Sequence, residues 1–112
     1  MAARHGDRGC DAEAEQLYQR ALKIRREKLG DQSEEVAVTL NGLALLYGRR
    51  GRTAEAEVNF QRAIAIREKV LGADHPRLAE TLESYAALLR KANRGAEANP
   101  IEARAKSIRN RH

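Results

Sequence analysis

The chain says the same thing more than once, at a fixed spacing. Ala14-Glu15, Gln19-Arg20-Ala21, Ile24-Arg25 and Leu29-Gly30 return 42 residues later as Ala56-Glu57, Gln61-Arg62-Ala63, Ile66-Arg67 and Leu71-Gly72. A second block keeps that spacing: Val36-Ala37, Thr39-Leu40, Ala44 and Leu46 return as Leu78-Ala79, Thr81-Leu82, Ala86 and Leu88. A third copy begins at Ala96-Glu97-Ala98, retains Ala105, Ile108 and Arg109, and then fades. A repeat of this length restricts the fold severely, because one unit cannot bury its apolar face alone and must stack on its neighbours.

Within each unit the apolar period is helical. Leu40, Leu43, Ala44 and Tyr47 form a stripe on one helix face, and Ala56, Phe60, Ala63, Ile64, Ile66 and Leu71 form another. The composition agrees: Ala, Leu, Glu, Arg and Lys dominate, with one Phe and no Trp. The pattern predicts helices at about 11–29, 33–49, 53–71, 75–92 and 96–110, and no strand. Gly51 is the expected stop of the second, Thr53 the expected N-cap of the third and Ser33 that of the second. Short links make successive helices antiparallel. Ala44, Ala56 and Ala63 allow close approach, with Tyr47 and Phe60 filling the space between.

The spacing Leu40-x2-Leu43-Ala44-x2-Tyr47, then Ala56-x3-Phe60-x2-Ala63, matches the helix–turn–helix unit of tetratricopeptide repeats. With 42 residues rather than the usual number near 34, the unit resembles the kinesin-light-chain-like subfamily. ALKIRREKLG and AIREKVLGADHP carry the extension, and LNGLALLYGRRGRTAEAE is especially similar. The resemblance runs from about Asp11 onward. It implies an all-α, right-handed solenoid of antiparallel helix pairs, about five helices in all. It further implies a binding scaffold, not an enzyme, whose concave groove is lined by the first helix of each pair.

Against a complete array, residues 1–10 align only with the tail of a first helix and are expected to be a frayed remnant. The array then comprises the second helix of a truncated repeat (11–30), a full repeat (33–72) and a final repeat with a capping helix (75–111). In that last helix the Phe60 slot becomes Glu102 and the Ile64 slot Lys106, giving the polar outer face a terminal helix needs. Asn99-Pro100-x-Glu102 reads as a cap, a first-turn Pro and an acid, so a restart at Asn99 is expected.

The resemblance places Val38, Asn41, Leu45 and Arg49 of one first helix, and Glu80, Glu83, Ala87, Arg90 and Lys91 of the next, on the groove. Asn41 suits a peptide backbone, Arg49, Arg90 and Lys91 a carboxylate, Val38 and Leu45 an apolar side chain. The carboxylate clamp of some tetratricopeptide proteins would want Lys and Asn where Val38 and Glu83 stand, so that activity is not expected.

Other candidates yield to structural readings. Asp74-His75-Pro76 resembles the edge of an active site, yet its counterpart one repeat earlier is Gln32-Ser33-Glu34. It reads as the start of a helix, Pro76 opening it and Asp74 or His75 capping it. Cys10 lies near Arg8 and a helix N-terminus, both of which favour a thiolate, but has no second Cys or fixed His beside it. His5, Cys10, His75 and His112 have no metal-ligand spacing, and no cofactor is implied. The basic clusters at Arg49, Arg50 and Arg52, and at Arg104, Lys106, Arg109 and Arg111, are interleaved with acids and lack stacking aromatics, so nucleic acid is not expected.

Net charge is +5, which favours an acidic partner. A lone Cys, no apolar leader and no apolar run of about 18 residues suggest a soluble, cytoplasmic protein without a membrane role. The expected function is a protein-interaction scaffold whose groove binds a peptide segment, acidic where it meets Arg49, Arg90 and Lys91. The alternative is self-association as a homodimer through an uncovered face of the first helix, around Leu17, Tyr18, Leu22 and Ile24.

Overall fold

A computed structural model describes residues 2–30 and 32–111, with side chains for 12–30 and 32–111. Five helices and no strand occur among the described residues: α1 (Ala2–Leu29), α2 (Glu34–Arg49), α3 (Thr53–Leu71), α4 (Pro76–Lys91) and α5 (Gly95–Asn110). The backbone of α1 is helical from Ala2, through the stretch expected to be a frayed tail. No Pro interrupts it, and Gly6 and Gly9 each cost a helix only about 1 kcal/mol relative to Ala.

Local signals explain most of the boundaries. Ser33 caps α2, its Oγ accepting from the Val36 N–H at 3.2 Å. His75 caps α4, Nδ1 accepting from the Arg77 N–H at 3.1 Å, and Pro76 is the first helical residue. Asp74 ion-pairs with Arg111. Asp74-His75-Pro76 is therefore a loop and helix start, as its counterpart at Ser33 indicates.

Two expected signals fail. Thr53 is the first residue of α3 rather than its cap; Arg52 holds the cap position without a side-chain hydrogen bond. The turn is closed by backbone instead: Gly51 takes φ +79° and the Arg52 N–H reaches the Tyr47 carbonyl at 2.8 Å. The next repeat uses the same device, with Asn93 at φ 62° and the Arg94 N–H on the Leu89 carbonyl at 2.8 Å. Nor does a helix restart at Asn99, because α5 runs unbroken from Gly95 with Pro100 inside it. Asn99 Oδ1 accepts from Arg90 Nη2 at 2.9 Å, so it is not available as a cap.

The helices stack in two layers. α2 contacts α1, α3 and α4, while α4 contacts α2, α3 and α5. α2 and α4 thus form one layer and α1, α3 and α5 the other, giving a slab whose shortest dimension is 22 Å, about two helix diameters. Apolar clusters repeat along it. Val36, Ala37 and Leu40 of α2 meet Ala63 and Ile66 of α3, and Leu78, Ala79 and Leu82 of α4 meet Ala105 and Ile108 of α5. Between them Phe60 is buried against Tyr85, ring centroids 5.9 Å apart.

Polar contacts repeat as well. Tyr47 Oη donates to Glu15 at 3.2 Å and accepts from Gln19 at 3.2 Å; Tyr85 Oη donates to Glu57 at 2.7 Å and accepts from Gln61 at 3.0 Å. Arg94 forks Glu57 at 2.9 and 3.0 Å and, with Tyr85, holds that carboxyl below its usual range. Burial pushes both phenols up. Arg67, almost fully buried, donates to Thr81 Oγ1 at 2.8 Å and the Arg77 carbonyl at 2.7 Å, and forks Glu34 at 3.2 Å.

Candidate protein-interaction surface

Helix period alone puts Leu45 and Arg49 on one face of α2, and Ala87 and Lys91 on one face of α4. The fold brings these four together. They line a cleft of about 180 Å³ between α2 and α4, floored by Ala44, Phe60 and Leu88. Gly48 sets its width: a Cβ there would stand 3.3 Å from Leu88 Cδ1, so the missing side chain lets the two helices approach. The floor is apolar, and Arg49 and Lys91 put two cationic side chains in its lining. Such a cleft accepts a buried apolar side chain with a carboxylate beside it.

Val38 and Asn41 lie nearer the start of α2. Val38 and Leu45 are 44% and 46% exposed, a large apolar exposure for a helix of this length. Asn41 is half-buried, and its Oδ1 is covered without a hydrogen-bond partner among the described residues.

The remaining predicted residues turn away. Glu83 accepts from Arg109 of α5 at 2.6 and 2.9 Å, and Arg90 binds Glu102 and Asn99 of α5. Arg109 holds the Glu83 carboxyl below its ordinary range, and Arg90 does the same to Glu102. The Arg90 charge is therefore already met within the molecule. Glu80 is exposed beside this network, its charge felt by Arg109.

Gly48, Phe60, Ser84 and Leu88 are lining residues that the sequence reading did not place on the groove. The available signal was weak: Gly48 stands in the last turn of α2, where its carbonyl also accepts from the Gly51 N–H at 3.2 Å, so it reads as part of the turn. Among the described residues no group of three His, Cys, Asp or Glu could hold a metal, and no helix is long and apolar enough to cross a membrane. The side chains of His5 and Cys10 lie outside the described residues.

Comparison with known proteins fits this geometry. The tetratricopeptide repeat family matches over residues 1–69 and again over 49–111, which together span the array. No match is found among curated proteins. Of solved structures, BtubC (BKLC) from P. vanneervenii superposes with a TM-score of 0.88 at 25% identity. The match covers 93% of this chain and 41% of that one. Tetratricopeptide repeats form a family of interaction scaffolds rather than enzymes. The chain belongs to the tetratricopeptide repeat family, and within it to the kinesin-light-chain-like type.

Proposed function

We propose that the protein binds a peptide segment of a partner protein on the face shared by α2 and α4, with an apolar side chain of the peptide in the cleft and an acidic residue against Arg49 and Lys91. The observation that carries this reading is the cleft itself, apolar at its floor and lined by two cations in a chain of net charge +5. Exposed Val38 and Leu45 extend the same face toward the start of α2 and suit a longer segment. Arg90 contributes less than its position suggests, because Glu102 competes for it.

Calorimetry with a panel of acidic and charge-neutral peptides tests the reading. Micromolar binding that weakens with salt is expected for acidic peptides carrying a large apolar residue. Lys91→Glu is expected to abolish the preference for acidic peptides, while Arg90→Gln leaves most of it. No binding, or binding indifferent to charge reversal at Lys91, sinks the proposal.

A further inference from the structure

On α4, Glu80, Ser84, Ala87 and Lys91 follow one another at steps of four, three and four residues, which keeps them on one stripe of the helix. Ser84, Ala87 and Lys91 line the cleft. The stripe that forms this wall therefore continues, one turn nearer the start of α4, into the exposed carboxylate of Glu80. The equivalent stripe of α2, 42 residues earlier, is Val38, Gly42, Leu45 and Arg49, and Glu35 precedes it by one turn. Leu45 and Arg49 line the opposite wall, so the starts of both helices lie at one end of the face and their last turns at the other.

Those two ends carry opposite charge. At the last turns Lys91 makes no ion pair among the described residues and stands with Arg49 in the cleft lining. At the starts Glu35 and Glu80 are exposed and likewise make no ion pair among the described residues. Arg109 feels the charge of Glu80 but forks Glu83, and Arg77 is held by Glu34. The helix dipole favours an acid in the first turn, which accounts for Glu35. Glu80 is the fifth residue of α4, past that turn, and the dipole gives no reason for it. Val38, 44% exposed, holds the α2 register position that matches Glu80. An apolar group paired with a carboxylate suits the long stem and charged tip of a Lys or Arg.

We propose that the face selects a bipolar segment, with an acidic residue at Arg49 and Lys91, an apolar side chain in the cleft and a Lys or Arg at Glu80. This rests on the peptide-binding reading above and adds to it a second, cation-selective subsite. Along α4, Glu80 lies about 10 Å from Ala87 on one side and Lys91 about 6 Å from it on the other. An extended chain advances about 3.3 Å per residue, which sets the base about three positions from the apolar residue and the acid about two positions the other way. Net charge of +5 draws any acidic segment to the surface, but Glu35 and Glu80 repel one whose acids flank the apolar residue on both sides.

The test uses three labelled peptides with blocked ends, Glu-Glu-Ala-Leu-Ala-Ala followed by Lys, Ala or Glu, titrated into the full chain by fluorescence anisotropy. All three are net acidic, so attraction to the basic chain alone would rank the Glu peptide first. The opposite order is expected: the Lys peptide binds about fivefold tighter than the Glu peptide, and the gap narrows at high salt. Against a Glu80→Lys chain the order is expected to invert. Circular dichroism of that variant is expected to be unchanged, since the side chain is exposed. Lys91→Glu is expected to weaken all three peptides and keep their order. Equal affinities, a Glu peptide that binds tightest, or an order that Glu80→Lys leaves in place overturns the bipolar proposal while the peptide-binding reading stands. Absence of binding by all three at millimolar concentration overturns both.

Discussion

Arg67 and Arg25 occupy equivalent positions but carry unequal burdens. Removing Arg67 takes the donor from the buried Thr81 hydroxyl and from the Arg77 carbonyl, and leaves Glu34 paired with Arg77 alone. Arg67→Ala is expected to cost about 3 kcal/mol by urea unfolding, the usual loss when one partner of a buried pair is deleted. Arg25→Ala, which removes one hydrogen bond from a half-exposed group, is expected to cost about 1 kcal/mol. The pH profile should show two losses. The Glu57 carboxyl is lowered in the folded protein, so its contribution is present above the ordinary value of 4.5 and is lost as pH falls beneath it. The Tyr85 phenol is raised, so its contribution is present below 10.0 and is lost as pH climbs through the raised value. Thermal melts across pH check both, and Glu57→Gln is expected to flatten the acid side. None of this network was legible in the sequence, where the interleaving of basic and acidic residues served only to set nucleic acid aside. The recurrence of Arg25 with Thr39 as Arg67 with Thr81 was the overlooked clue, since a solvated face has no reason to repeat a hydroxyl one helix away.

At the scale of the element, helices were legible because their apolar stripes and stops recur, and boundaries were legible only where a side chain makes the cap. Ser33 and His75 were read as caps for that reason. Thr53 was not, because the α2–α3 turn is closed by main-chain groups and a left-handed residue rather than by a hydroxyl. Asn93 stands in the position of Gly51, which an amide side chain tolerates better than most. Ser33→Ala is expected to lower stability by about 1 kcal/mol. Asn93→Val should cost about 1–2 kcal/mol through backbone strain alone. Denaturant melts of the two variants measure both effects, and an unchanged Asn93→Val would mean that the turn relaxes without loss. Pro100 was misjudged because a helix start was inferred from a local pattern, while Asn99 was committed elsewhere by α5 packing on α4.

For the whole molecule, the groove was half legible. The resemblance placed Leu45, Arg49, Ala87 and Lys91 on one face, and the fold brings these four to a single cleft, because each needs only its own helix to be placed. Glu83 and Arg90 were placed on the same face but are drawn to α5, and no pattern within α4 reveals that the neighbouring helix offers Arg109 and Glu102. The outer surface of α5 carries Glu102 and Lys106 where α3 has Phe60 and Ile64. Replacing both, Glu102→Phe with Lys106→Ile, is expected to produce concentration-dependent association in sedimentation, with the parent chain less associated at equal concentration. The two outer helices therefore differ in kind, α5 presenting Glu102 and Lys106 while α1 leaves Leu17 and Ile24 exposed among its charges. Such a unit has two unlike edges: a helix laid on the α1 edge meets exposed Leu17 and Ile24, and one laid on the α5 edge meets Glu102 and Lys106.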